Sequence, residues 1–208
     1  MCMDKPKVDE KWVGKRLMVS NITTYLNDNG FDWRTIPENF TIKNIKSFLQ
    51  KDYGGDGDCT LTSILTVVKY YKPKLDDNEV YNYIEKIAKK YLYQEKWGTF
   101  PGFNKVIVQE VFKHFNIMKN VISKYFKGIG FNQNTIINEL KQNHPIIISL
   151  ANDGRKYYNN HTVTIIGYMI FQDINGKKRI IFKTYDNWYN GHALLDYETL
   201  RADCMICY

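Results

Sequence analysis

GGDGDCTLTSILTVVKYY, running from Gly54 to Tyr71, is the segment from which the fold is best read. Its first five residues form a glycine-rich loop, and an apolar-periodic stretch follows at once. Leu61, Ile64, Leu65, Val68 and Tyr71 recur at three- and four-residue spacing, which predicts one face of a helix. Asp58 is a residue type that favours the N-cap. Cys59 is therefore expected on the first helical turn, where unpaired N–H groups and the helix dipole favour negative charge. A thiolate is the nucleophilic form of cysteine, and this position lowers the pKa of a thiol.

Upstream, Ile22, Tyr25 and Leu26 suggest a short helix ending at Gly30, and residues 1–40 otherwise give little pattern. Ile42, Ile45, Phe48 and Leu49 place residues 41–50 in a helix. Downstream, Asp76-Asp77 open a helix with Val80, Ile84, Ile87, Ala88 and Tyr91 on one face, and Trp97 to Gly102 reads as a loop. Ile107, Val108, Val111, Phe112 and Phe115 mark the next helix. The pattern then changes. A brief strand at residues 121–123 and a helix over 134–142 lead to the apolar run Ile146 to Leu150, a buried strand. Residues 161–171 and 178–185 read as a long hairpin about Asp173-Ile174-Asn175-Gly176, with weaker strands at 193–197 and 204–207. Helices first and strands second predict an α+β domain. The expected layout is one domain over 1–208, with an N-terminal extension to residue 40, a helical lobe over 41–118 and a sheet lobe over 119–208.

A cysteine nucleophile needs a base, and the base needs a group that orients it. Of the four histidines, His114 falls within a helix, His144 precedes a proline in a turn, and His192 follows a glycine in a loop. His161 opens the strand Thr162 to Tyr168, where an imidazole would be held at the mouth of a sheet. Folding the hairpin about its predicted turn sets His161 opposite Asp186, and directly opposed residues share a face. Asp186 is thus the expected orienting group, with Asn187 the alternative should a bulge shift the register.

These residues carry a family resemblance. Asp58-Cys59 before a helix, Asn160-His161-Thr162-Val163 opening a strand, and Asp186-Asn187-Trp188 closing the next resemble the papain-like cysteine peptidase superfamily. The branch most similar is the bacterial one of bacteriocin-processing (double-glycine) peptidases. The step from Ile136-Ile137-Asn138-Glu139-Leu140 to Pro145-Ile146-Ile147-Ile148 also resembles it. The resemblance covers roughly residues 45–200. It implies a papain-like layout, a Cys59–His161–Asp186 triad, an acyl-enzyme thioester, a peptide or protein substrate, and Trp188 as an indole cover over the catalytic pair. Two positions depart from the pattern. Tyr53 stands where the branch has an oxyanion-binding glutamine, and Thr60 stands where it often has glycine. Tyr53 and Gln50 are the candidates for the missing oxyanion donor.

Composition narrows the remaining classes. The 208 residues are 44% hydrophobic, enough for a full core. The net charge of +7 is scattered among acidic residues without a nucleic-acid motif, so no nucleic-acid partner is expected. No apolar run is long enough for a membrane span, and Met1 to Pro6 lacks a signal core. The expectation is a soluble protein, cytoplasmic as written or secreted if its leader lies outside this sequence. Asp56 and Asp58 lack the spacing of a calcium loop, and Cys204-Met205-Ile206-Cys207 has no second pair to complete a zinc site, so neither a metal nor a cofactor is expected. Three other functions stay open: a cell-wall γ-glutamyl peptidase or transglutaminase type of Cys–His enzyme, a non-catalytic peptide-binding module, and a basic interaction protein. Oligomeric state leaves no mark on the sequence.

Overall fold

A computed structural model describes residues 8–125, 132–153 and 155–208, leaving aside the side chains of Tyr125, Asn152, Asp203 and Cys204. Among the described residues, five α-helices, α1 (Ile22–Asp28), α2 (Cys59–Tyr71), α3 (Asp77–Lys90), α4 (Asn104–His114) and α5 (Gln133–Lys141), accompany seven strands. These are β1 (Trp33–Thr41), β2 (Ile122–Tyr125), β3 (Ile146–Asn152), β4 (Asn159–Asp173), β5 (Lys178–Tyr185), β6 (Ala193–Asp196) and β7 (Arg201–Cys207). All pair antiparallel in one sheet of order β2-β7-β3-β4-β5-β6, with β1 joined to β4. The fold is α+β, helices leading and sheet following.

Alternation along the strands explains the layers. On β3, Ile146, Ile148 and Leu150 join Ile136, Ile137 and Leu140 of α5 in one core. Ile147 turns the other way, into a core with α2, α3 and α4. Helix α2 runs across β3 and β4. It is buried over every residue from Cys59 to Val68, not on a single face as its periodicity suggests. Leu61, Ile64, Leu65, Val67 and Val68 are wholly buried, and each such side chain contributes about 1.5–3 kcal/mol relative to exposure. The helix that carries Cys59 is thus fixed along its length.

Two expectations for the N-terminal part change. Residues 33–41, inside the expected extension, form β1, which lies on the edge of β4 beyond the end of β3. Residues 41–50 are not a helix. After β1 ends, Ile42 N–H still bonds the Ile166 carbonyl at 2.8 Å, and Asn44 turns the chain at φ 59°. Ile42 and Ile45 then pack on the α5 side of the sheet and Phe48 among α2–α4, so an extended segment spanning two cores meets the same burial demand. Residues 8–31, including α1, form a third apolar cluster in which Trp12, Leu17, Tyr25 and Leu26 pack on Met169 and Phe171 of β4.

The hairpin β4–β5 forms with a different register. Gln172 pairs with Lys178, because Asp173 Oδ1 accepts from both Asn175 N–H (2.9 Å) and Lys177 N–H (2.8 Å) and draws Lys177 into the turn. A bulge between Ile165 and Gly167 takes back one residue of that shift, and the last paired residues are Thr164 and Tyr185. Three residues further along each chain, His161 comes level with Trp188 and not with Asp186.

Candidate active site

Asp58 does not cap α2 through its side chain, contrary to the sequence expectation. Its buried carboxylate accepts instead from Gly55 N–H at 2.5 Å and from the Tyr93 hydroxyl, with the Tyr81 hydroxyl close by. Burial first, then the nearby Asp58 charge, push the Tyr81 phenol far above its ordinary range. Gly54 is required here, because a Cβ at that position would lie 1.6 Å from Asp58 Oδ2. The carboxylate thus ties the glycine loop to α3 and the chain beyond it. The first main-chain bond of α2 runs from Thr62 N–H to the Asp58 carbonyl at 2.9 Å. The N–H groups of Cys59, Thr60 and Leu61 precede it and have no intrahelical acceptor.

Cys59 and His161 meet at the floor of a cleft of about 500 Å³, lined among others by Gly57, Trp97, Ser149 and Thr162. Cys59 is 9% exposed, and the His161 ring lies close enough to act on its thiol. Burial pushes the Cys59 pKa up, but the neighbouring His161 ring and its charge, aided by Thr162, outweigh it and leave the thiol below its ordinary value. The other side of the imidazole is held: His161 Nε2 donates to the main-chain carbonyl of Asp186 at 2.7 Å. Nε2 as the donor leaves Nδ1 as the ring nitrogen available to the thiol.

The carboxylate of Asp186 takes a different direction from the one the hairpin argument gave. It is fully buried, and Oδ2 accepts from Arg16 Nε at 2.7 Å and from the Tyr158 hydroxyl at 2.8 Å. Oδ1 accepts from the Trp188 and Tyr189 N–H groups, both at 3.3 Å. Asp186 therefore meets His161 through its backbone, because the shifted register brings the carbonyl and not the side chain level with the ring.

Asn187 faces the helix. Its Nδ2 donates to the Cys59 carbonyl (3.0 Å), Ser63 Oγ (2.9 Å) and the Thr162 carbonyl (3.1 Å), and its backbone is left-handed at φ 62°. It clamps the first turn of α2 to the start of β4. Trp188 lies over the imidazole, ring centroids 4.1 Å apart, and Tyr158 stacks on it at 5.3 Å and 12°. A chain of hydroxyls runs behind the pair: Thr99 to Thr60 (2.7 Å), Thr60 to Thr162 (2.9 Å), Thr162 to Ser149 (3.1 Å), with Asn104 Nδ2 donating to Ser149 (3.0 Å).

Of the two oxyanion candidates, Tyr53 lies away from the cleft, its ring against Phe48 and Tyr81. Gln50 is nearer: its Nε2 donates to the carbonyl of Asp56, a residue of the cleft wall, at 3.3 Å, and its N–H bonds the Asn187 carbonyl at 2.9 Å. The opposite lip is the turn of residues 94–98, closed by a bridge between Gln94 and Gly98. It sits directly on Gly57, where a Cβ would meet the Glu95 carbonyl at 2.4 Å and the Gly98 nitrogen at 2.8 Å. Trp97 and Phe100 stand exposed on this lip.

The remaining histidines are engaged elsewhere. His114 stacks on Tyr83, His144 lies between Glu139 and Lys119, and His192 packs by Tyr185. Among the described residues no cluster of three or more His, Cys, Asp or Glu side chains is placed to hold a metal ion, and no helix is long and apolar enough to cross a membrane. Cys207 lies buried in β7; the Cys204 side chain and Met1 to Pro6 lie outside the described residues. Arg16, Tyr158 and the clamping role of Asn187 escaped the sequence reading, since their partners are remote in the chain.

No curated protein matches the chain. Among solved structures it is similar to a crystal structure of a candidate C39-like peptidase from Bacillus anthracis, with a TM-score of 0.55 and 14% identity. That match covers 82% of this chain and 98% of the other, a likeness of fold. The family model described as the Peptidase_C39 like family matches residues 42–200. The chain belongs to this C39-like family, within the papain-like cysteine peptidases.

Proposed function

We propose that the protein is a cysteine peptidase or amide hydrolase in which Cys59 is the nucleophile, His161 moves protons and Asp186 orients His161, a single papain-like domain needing no cofactor. The observation that carries this reading is the Cys59 thiol beside the His161 ring in the lining of one open cleft. His161 takes the thiol proton, and the thiolate attacks the carbonyl carbon of a bound peptide. The resulting oxyanion lies at the start of α2, where the Cys59 N–H donates to it, with the Gln50 amide the nearer side-chain donor. Each such donor contributes about a hundredfold or more in rate. The imidazolium then protonates the departing amine, leaving a thioester on Cys59. Water, deprotonated by His161, hydrolyses the thioester and restores the thiol.

The Asp186 carbonyl fixes the ring and its tautomer, the same service a side-chain acceptor gives in a triad. A neutral carbonyl stabilises an imidazolium less than a carboxylate does, and this favours a second reading, a slow or inactive peptide-binding relative. Cys59→Ala decides the main point: it is expected to abolish peptide hydrolysis and rapid iodoacetamide labelling near neutral pH. Unchanged hydrolysis would remove the mechanism. Fast labelling of the wild-type thiol without turnover of any peptide would favour the binding module.

A further inference from the structure

Arg16 lies outside residues 42–200, the stretch that defines family membership, yet its Nε is 2.7 Å from the Asp186 carboxylate. The segment bearing it is pinned on both sides by main-chain bonds. Gly14 N–H donates to the Arg155 carbonyl at 2.7 Å, and Leu194 N–H donates to the Leu17 carbonyl at 2.8 Å. Arg155 is itself fully buried and pairs with Asp153 at 2.9 Å. Arg16 is 15% exposed against a fully buried carboxylate, and Tyr189 covers its guanidinium at 5.2 Å. A half-sheltered, hydrogen-bonded pair of this kind holds its geometry far better than a surface ion pair.

We propose that Arg16 is a positioning residue of the site: a guanidinium contributed by the N-terminal segment that holds the Asp186 carboxylate away from His161, so that the neutral Asp186 carbonyl is what the imidazole meets. A carboxylate has two ways to serve here. Turned toward the ring it would stabilise the imidazolium directly. Turned away and neutralised by Arg16 it serves as an anchor, and the peptide to which it belongs presents its carbonyl to Nε2. The structure has the second arrangement, and the Tyr158 hydroxyl and the Trp188 and Tyr189 N–H groups complete the anchor. The N-terminal segment thus fixes which group of Asp186 the imidazole meets. This inference rests on the proposed roles of Cys59 and His161.

The charged and titratable groups around the imidazole are Cys59 from α2, Asp186 and Tyr189 after β5, Tyr157 and Tyr158 before β4, Arg16 from the N-terminal segment, and Asp56 and Lys96 on the cleft walls. Of these, Arg16 is the cation that touches Asp186. Removing it adds net negative charge beside His161, which raises the pH at which the ring loses its proton.

The test is an NMR titration of the His161 ring, with the pH dependence of Cys59 labelling by iodoacetamide, in the full chain. Arg16→Gln is expected to move the His161 titration upward by about one unit, while Arg16→Lys keeps it within a few tenths of wild type. Should Arg16→Gln fail to fold, Asp186→Asn tests the same pair from the other side: it leaves the guanidinium without its counter-charge and moves the titration downward. A His161 titration unchanged in whichever of these two variants folds would overturn the proposal. Neither readout requires turnover, so a protein that labels and titrates as described yet cleaves nothing would fail as a hydrolase while this inference stood.

Discussion

Replacing Asn187 by Ala should cost more stability than its small size suggests. Its Nδ2 reaches three acceptors, the Cys59 carbonyl, Ser63 Oγ and the Thr162 carbonyl, in a fully buried place. An amide nitrogen has two protons, so two full hydrogen bonds are lost from a buried place. At about 1–1.5 kcal/mol for each buried bond lost, this amounts to about 2–3 kcal/mol. The backbone adds to it. Asn187 sits at φ 62°, and a non-glycine residue other than Asn or Asp pays about 1 kcal/mol there. The expected loss is about 3–4 kcal/mol, which at a urea slope of about 2 kcal/mol/M lowers the midpoint by about 1.5–2 M. Urea unfolding followed by tryptophan fluorescence measures it. Asn187→Gly removes the same hydrogen bonds without the backbone term and should recover about 1 kcal/mol of that loss. The clamp also sets where the Cys59 peptide lies against β4, so thiol labelling should slow in both variants. A midpoint drop under about 0.5 M in Asn187→Ala, or labelling as fast as wild type, would refute the reasoning.

Three further outcomes follow from the same geometry. Cys59 should react with iodoacetamide along a pH profile whose midpoint lies below the ordinary thiol value of 9.0; because the folded thiol ionises before the unfolded one, its contribution to stability is absent below the folded pKa, grows between the two values and is complete above the unfolded one. A midpoint at or above 9.0 would count against the His161 contact. Asp58→Asn keeps the shape but weakens the acceptor for Gly55 N–H and the Tyr93 hydroxyl, and should lower stability by about 2 kcal/mol, seen as a lower thermal midpoint. Gly57→Ala forces the 94–98 turn off its seat and should raise the KM for a peptide while leaving the labelling rate of Cys59 within about twofold, since the Cys59–His161 contact does not involve the turn; an unchanged KM would mean that this lip does not touch substrate.

What the sequence made visible was governed by local chemistry. The apolar spacing after Gly57 located α2 and its first residue, and the β-branched run after His161 located β4, because both patterns report burial directly. The hairpin was visible too, but its register depended on Lys177 joining the turn and on one bulged residue, neither of which has a strong signature. That small shift decides whether Asp186 meets the imidazole by carboxylate or by carbonyl. Residues 33–41 hid as a strand because they are largely exposed and contain Pro37, as an edge strand with broken register permits. The spacing of Ile42, Ile45, Phe48 and Leu49 imitates a helical face, yet an extended chain crossing between two cores buries the same residues. Asp58 does hold the cap position of α2, but its carboxylate is taken up by Gly55 N–H and the Tyr93 hydroxyl. Arg16 had no signature at all, since its partner lies 170 positions away.

Strand β4 borrows its neighbours in succession: β3 lines one edge as far as Ile165, and β1 takes over that edge from Gly167 to Asp173. A chain trimmed to begin at residue 42 would keep the helix bearing the thiol and the strand bearing the imidazole. It would also bare seven residues of open ladder on β4, together with the apolar side chains of Met169 and Phe171 that α1 had covered. An uncovered edge of that length is a template for adding foreign strands, so such a fragment should appear first as oligomers and only then, if at all, as an enzyme.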